Sequence, residues 1–258
     1  MKSLKKMLAK GETALGLMIS ELLRPSVVKI YAKAGADFLY MEFEHCLMNP
    51  RDLADVVLCA TDNDLPVVAK TPYLDRAWVT KLLDAGVTGI QLPMTETSEQ
   101  VRQLAEWVKF PPVGKRACAC AYGATGYVDM EVRDFIEKSN AQTLVIAHVE
   151  TLTGVKNIDA ILDTGVVDVL FVGPFDLSIS CGKPGDYESK DFKDAVRRLS
   201  DAAKKRGVVL GTYLPNAGAA SRWRALGARF FELADELAFI AEGATRAIGQ
   251  VRGKGNRR

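Results

Sequence analysis

The chain has 258 residues, 48% of them hydrophobic and 26% charged, and its 34 basic and 32 acidic side chains leave a formal charge of only +2. That composition supplies a globular core and excludes whole-chain disorder, and apart from a short basic C-terminal tail, RGKGNRR, it offers no charge surplus for nucleic acid or an anionic membrane. No apolar run approaches the roughly 20 residues that span a bilayer, and five cysteines without CxxC spacing read as reduced packing thiols of a cytoplasmic protein.

The opening MKSLKKMLAKGE is basic but lacks an apolar centre ahead of a small-residue cleavage site, unlike a secretory signal. ALGLMI then predicts a first strand and SVVKIYAKAGA a helix behind it. The second strand, DFLYMEF, ends unusually. In YMEFEHC, residues 40–46, Glu42 and Glu44 share one side of a period-2 element, and His45 follows, one of two histidines in the chain. A nucleophilic Cys46 beside His45 would need a base oriented by a third group, which adjacency alone does not supply. After the helix RDLADVVLCATD, PVVAK predicts a third strand ending on Lys70. RAWVTKLLDAG, GIQLPM and SEQVRQLAEWVK follow as helix, strand and helix, and FPPVGKRACACAYGATGYVDM, residues 110–130, then breaks the rhythm. Long ordered loops in compact domains are often functional. TLVIAHVE predicts a fifth strand carrying His148 and Glu150, DVLFVG a sixth with Asp176 just beyond it, VVLGTY a seventh, and RFFELA an eighth containing Glu232. The helices GVKNIDAILDTG, DFKDAVRRLSDAAKKRG and AASRWRALGA fall between them, and ELAFIAEGATRAIGQV comes last. Several of these helices end in glycine, which adopts the left-handed cap at little cost.

Eight strand–helix units in a chain of this length predict an α/β fold, a (β/α)₈ TIM barrel spanning residues 1–258 as a single domain. A doubly wound open sheet is the rival, but no GxGxxG follows the first strand. Barrel sites sit at the C-terminal ends of the strands, and there the sequence places Glu42, Glu44, His45, Lys70, His148, Glu150, Asp176 and Glu232. Singly, each carboxylate reads as a rim residue, solvated or paired across strands. Together they demand pairing or a metal, because unpaired charge near a barrel mouth is costly. Glu150 and Asp176 end successive strands, and two oxygen ligands that leave positions open suit Mg²⁺ or Mn²⁺.

The stretches FEHCLMNPRDL, HVETLTGVKNIDAIL, VGPFDLS and FPPVGKR resemble the metal-dependent pyruvate aldolases of the 4-hydroxy-2-oxoheptanedioate and 2-dehydro-3-deoxyglucarate aldolase family, the HpcH/HpaI aldolase/citrate lyase-like group, nearly end to end. The resemblance implies a barrel of the phosphoenolpyruvate/pyruvate type that cleaves a 4-hydroxy-2-oxo acid to pyruvate and an aldehyde. Its divalent metal, Mg²⁺ or Mn²⁺ with Co²⁺ as a third candidate, would be held by Glu150 and Asp176 and chelated by the small oxo-acid, stabilising the enolate as a Lewis acid. His45 matches the family's catalytic histidine and Asp84 the carboxylate that partners it. Without the resemblance, Asp84 reads as a solvated residue at a helix end. Glu44 is implied to bond metal-bound water, and the last helix to be exchanged between copies in a homo-oligomer.

Departures from the family cluster in the pocket. Lys70 replaces the usual arginine, Glu42 an aspartate, His148 a glutamine and Phe175 a small residue, and alanine follows the GxR where glycine is common. A lysine cannot grip an oxyanion from two directions as an arginine fork does. Glu42, one methylene longer than aspartate, is predicted to reach Lys70. Phe175 is expected to narrow or reshape the space beside the metal, making a bulky acceptor fit less readily, and Glu232 to add negative charge there. Substrate contacts are therefore assigned to Glu42, Glu44, His148, Phe175 and Asp176, and catalysis to His45, Asp84 and Lys70. Two alternatives stay open: a Schiff-base lyase built on Lys70, and a diverged barrel that binds metal and oxo-acid without turnover.

Overall fold

The computed structural model describes residues 2–253, so the tail from Lys254 onward lies outside the described residues. Eight parallel strands close into a barrel: β1 Ala14–Ile19, β2 Phe38–Glu42, β3 Val67–Lys70, β4 Gly89–Leu92, β5 Leu144–Val149, β6 Val169–Val172, β7 Val209–Leu214 and β8 Ala228–Asp235. Each pairs with its chain neighbour, and β1 closes on β8. Every strand read from the sequence is present.

The period-2 rule sorts the strand residues into two sets. Leu39 and Met41, Ile90 and Leu92, Ala147 and Val149, and Leu170 and Val172 face outward into the helices. Phe38 and Tyr40, Val68, Leu144 and Ile146, Val169 and Phe171, and Phe230 face inward and fill the barrel. Phe38 and Phe230 stack with centroids 4.6 Å apart. Gly16 is required beside them, since a Cβ there would run into the Phe38 ring. Following the inward rows two residues toward the C-terminal ends replaces apolar side chains by Glu42, Lys70, Gln91, His148 and Glu232, all buried. The polar layer is thus a continuation of the core pattern.

The helices differ from expectation in four places. The basic N-terminal stretch, for which no element is predicted, contains a helix, Leu4–Ala9, capped by Ser3, whose Leu4 and Leu8 join the inner barrel cluster. The helix predicted from GVKNIDAILDTG is two, Leu152–Lys156 and Ile158–Leu162, divided at Asn157, whose side-chain amide donates to the Glu96 carbonyl at 2.9 Å. Within the long segment only Tyr122–Thr125 is helical, and a further helix, Val132–Gln142, follows it. Pro174–Ser180 forms a short helix directly after β6, with Pro174 at a position where its missing N–H costs nothing. Among the described residues no helix is long and apolar enough to cross a membrane.

Candidate active site

Lys70 ends β3 opposite Glu42 in the β2–β3 register, so the pairing is built into the sheet. Its Nζ lies 3.0 Å from Glu42 Oε2 and 2.7 Å from Glu44 Oε2. Tyr40 donates its hydroxyl to Glu42 Oε2 at 2.9 Å, and the Glu44 amide donates to Glu42 Oε1 at 2.7 Å. The predicted Glu42–Lys70 pair is present, with Glu44 as a second partner. Burial alone would lower the lysine's pKa, but Glu42 and Glu44 outweigh it and hold the ammonium above the usual lysine range. His45 stands at the rim, 64% exposed, its Nε2 3.5 Å from Glu44 Oε2. Burial and the Glu42 charge push the Cys46 thiol up to about 11, which removes the thiolate its nucleophilic role would need.

On the opposite wall, Glu150 follows β5 and is 2% exposed. Its Oε1 accepts the Met94 N–H at 2.9 Å, an amide aimed by a left-handed backbone at Met94, φ +48°. His148 Nε2 lies 3.0 Å from Glu150 Oε2, although the ring nitrogen is not aligned as a hydrogen bond. Burial opposes ionisation of Glu150, yet His148, the Met94 amide and Lys70 together bring its pKa down to about 2. Gly173 makes this wall possible, since a Cβ there would lie 2.5 Å from Glu150 Oε2 and collide with His148. Gln91, inward-facing on β4, places its amide nitrogen 3.1 Å from His148 Nδ1 and donates to Glu232 Oε2 at 3.4 Å. Gln91 Oε1 and Glu232 Oε1 remain buried without partners. Complete burial pushes the Glu232 carboxyl well above its ordinary value and so opposes the negative charge expected of it.

Asp176 and Phe175 stand on the first turn of Pro174–Ser180, both exposed. Asp176, Glu150, Lys70, His148 and His45 line one cavity of about 670 Å³. Phe175, 59% exposed, lines this space beside Asp176 and leaves it open. Among the described residues no group of three or more His, Cys, Asp or Glu side chains is arranged to hold a metal. Glu150 and Asp176 offer two hard oxygen donors facing a roomy cavity, a donor set that fits a cation retaining waters and accepting a chelating ligand.

Asp84 is the residue the structure does not bring to the site. It lies near the end of helix Arg76–Ala85, which runs back about 15 Å from the mouth to the end of the barrel where β4 begins. There Asp84 Oδ1 accepts from Arg116 Nη2 at 2.9 Å, and no contact joins it to His45 within the chain. The long segment 110–130 belongs to that same end: Arg116 binds Asp84 and Ser139, and with Phe135 and Lys138 lines a separate cavity of about 150 Å³.

Sequence reasoning missed Gln91 and Tyr40. Gln91 left a legible signal, a lone amide on the inward row of an otherwise apolar strand. It also missed Tyr213 at the end of β7, Tyr187 in the loop after Pro174–Ser180, and Arg222 and Trp223 on the short helix Ala220–Ala225, all of which line the mouth cavity.

Comparison with known proteins is consistent with this geometry. A profile of the family described as HpcH/HpaI aldolase/citrate lyase matches residues 17–242. The hydroxypyruvate/pyruvate aldolase of Roseobacter denitrificans is 31% identical over 242 residues, covering 92% of this chain and 91% of that protein. Its counterpart from Paraburkholderia phytofirmans is 30% identical over 258 residues, covering 96% and 97%. The crystal structure of an HpcH/HpaI aldolase from Desulfitobacterium hafniense superposes with a TM-score of 0.91 at 27% identity, covering 98% of this chain and 97% of that one.

Proposed function

The chain belongs to the HpcH/HpaI aldolase/citrate lyase family of carbon–carbon lyases, and from that premise we propose that it is a divalent-metal-dependent aldolase cleaving a 4-hydroxy-2-oxo acid to pyruvate and an aldehyde. The observation that carries the reading is the convergence of Glu150, Asp176, Lys70 and His148 on one cavity at the barrel mouth. Glu150 and Asp176 would hold Mg²⁺, Mn²⁺ or Co²⁺, which when bound supplies Lewis-acid stabilisation of negative charge on the keto oxygen. Hydroxypyruvate stands beside pyruvate as the oxo-acid, a choice suggested by the names of the relatives.

Lys70 supplies fixed positive charge to the oxo-acid. Anchored by two carboxylates, it keeps its proton and is pre-oriented, so it acts as an electrostatic group. This favours the metal-dependent reading over a Schiff base, because a protonated amine cannot attack a carbonyl. Borohydride added with pyruvate is expected to leave Lys70 unmodified. His45, exposed beside Glu44, is placed to exchange a proton with the C4 hydroxyl. A His45–Asp84 dyad would require a second copy of the chain, since one chain keeps the two apart. The last helix, Glu236–Arg252, buries only Glu236 and exposes Leu237, Ile240, Ile248 and Val251, a face suited to such a homo-oligomer. Light scattering checks the assembly, and a monomer would remove the dyad.

The deciding experiment strips the protein with EDTA and reloads it with Mn²⁺ while pyruvate release from a 4-hydroxy-2-oxo acid is followed. Activity should fall at least about a hundredfold on stripping and return on reloading. Equal rates in both states would overturn the metal-dependent mechanism. Absence of turnover in either state, with oxo-acid still bound, would favour the diverged binding barrel.

A further inference from the structure

We propose that the carbonyl compound released by this chain is an uncharged aryl aldehyde, its ring seated in the aromatic half of the mouth cavity. The inference rests on the aldolase reading above and adds the class of the second product. In the cleavage, the C3–C4 bond of a 4-aryl-4-hydroxy-2-oxobutanoate breaks and its electron pair stays on C3. The C4 hydroxyl gives up its proton and becomes the aldehyde, and C3 takes a proton to become the methyl group of pyruvate.

Size is the first argument. A three-carbon oxo-acid at Lys70, Glu150 and Asp176 leaves most of the roughly 670 Å³ cavity empty, a volume within the range that holds drug-sized ligands. The rest of the wall comes from the end of β7 and from the loops and helices that follow β6 and β7, and is built of Phe175, Tyr187, Phe192, Tyr213, Pro215 and Trp223. Tyr187 and Phe192 already pack as a tilted pair with centroids 5.4 Å apart, and Tyr187 and Phe175 remain 37% and 59% exposed. Bare aromatic surface around a concavity favours an inserted ring, which gains area burial and edge or offset stacking.

Charge is the second argument, and it disfavours the obvious competitor. A substrate with a distal carboxylate needs a cation at the far end of the cavity, and among the described residues the only lysine or arginine side chains lining it are Lys70 and Arg222. Lys70 is held between Glu42 and Glu44. Arg222 donates from Nη1 to Glu188 Oε1 and from Nη2 to the Tyr187 carbonyl, each at 2.7 Å, with its guanidinium 6.0 Å from the Phe192 ring centroid. Lys70 serves the oxo-acid end and Arg222 is already bonded to Glu188 and the Tyr187 carbonyl, so a second carboxylate would lose water and have to compete with those partners for Arg222. An uncharged ring meets no such cost.

The test uses two acids that cannot be cleaved because they lack the C4 hydroxyl, 4-phenyl-2-oxobutanoate and 2-oxoheptanedioate, titrated calorimetrically into the Mn²⁺-loaded full chain. The phenyl acid should bind at least about tenfold more tightly. Phe175→Ala and Tyr187→Ala, both at partly exposed positions, should each weaken the phenyl acid by about fivefold or more and the dicarboxylate much less. Equal or tighter binding of the dicarboxylate, or equal loss for both acids in the variants, would overturn the proposal. Exchange of pyruvate methyl protons with D₂O in the wild-type protein reads the aldolase function separately. Exchange without aryl preference sinks the aromatic subsite alone, whereas aryl preference without exchange supports the subsite and sinks the aldolase reading.

Discussion

Each end of the barrel buries a lysine, and the two have opposite chemistry. At the mouth Lys70 is 4% exposed and meets two carboxylates. At the other end Lys109 is 7% exposed, and its Nζ donates to the Asn140 carbonyl at 2.8 Å and the Thr143 carbonyl at 2.5 Å. Carbonyl dipoles satisfy its protons but do not balance its charge, so burial brings the Lys109 pKa down to about 8. Lys70 is raised despite comparable burial. Burial therefore does not by itself make a lysine nucleophilic; the partner set decides. Of the two, the lysine in the reactive mouth is the one kept charged, which suits an electrostatic role there and not a covalent one.

The comparison is broken most severely at the mouth. Lys70→Met leaves Glu42 buried without its cation, and losing one partner of a buried pair costs about 3–5 kcal/mol. Urea unfolding should show that loss, together with at least about a hundredfold lower pyruvate release. Combining Lys70→Met with Glu42→Leu should recover most of the stability and none of the activity. If Lys70→Met proved as stable as wild type, the ion pair would not be holding the mouth together.

A second measurement compares the two lysines directly through pH. Lys109 titrates at about 8 in the folded chain and near 10.4 when unfolded. Between those values the unfolded chain binds more protons, so stability should rise by about 2–3 kcal/mol as pH increases from 8 to 10. Lys70 has the opposite sign. Its raised folded pKa gives a contribution fully present below about 10.4 and lost only at higher pH. Lys109→Met should therefore flatten the pH 8–10 rise, whereas Lys70→Met should leave its slope unchanged. A rise that persists in Lys109→Met would assign it to another group.

Much of this architecture was legible because it follows from period and spacing. The eight strands were readable from apolar runs, and the mouth cluster from charges that end them, since an inward row that turns polar at Glu42, Lys70 and His148 can only lie at the strand ends. Three things were not legible. The helix Leu4–Ala9 is hidden in a basic stretch because its two buried leucines are diluted by lysines. The upward push on the Glu232 pKa comes from complete enclosure, which no local pattern reports. The aromatic wall joins Tyr187 from the segment after β6, Tyr213 from the end of β7 and Trp223 from the helix Ala220–Ala225, residues far apart in sequence that only the closed barrel brings together. The resemblance pairs Asp84 with a histidine, yet the helix carrying it ends at the far side of the barrel.

The smallest expected effect lies at that far side and sharpens the contrast. Arg116 is as enclosed as Lys70, with a side chain 2% exposed, but it has only one carboxylate, Asp84, itself 23% exposed. Burial outweighs that partner and lowers the Arg116 pKa, and the Phe110 ring, 4.6 Å away, shares the charge by a cation–π contact. Asp84→Asn keeps an oxygen to accept from Nη2 and removes only the charge, in a place where water already screens the carboxylate. Unfolding should show a loss of about 1 kcal/mol, several-fold less than Lys70→Met. A loss as large as that of Lys70→Met would mean that the lower end depends on ionic pairing as much as the mouth does. A small loss would leave Phe110, Ser139 and the surrounding packing as the groups that hold Arg116, with ionic pairing decisive only where the chemistry is proposed to occur.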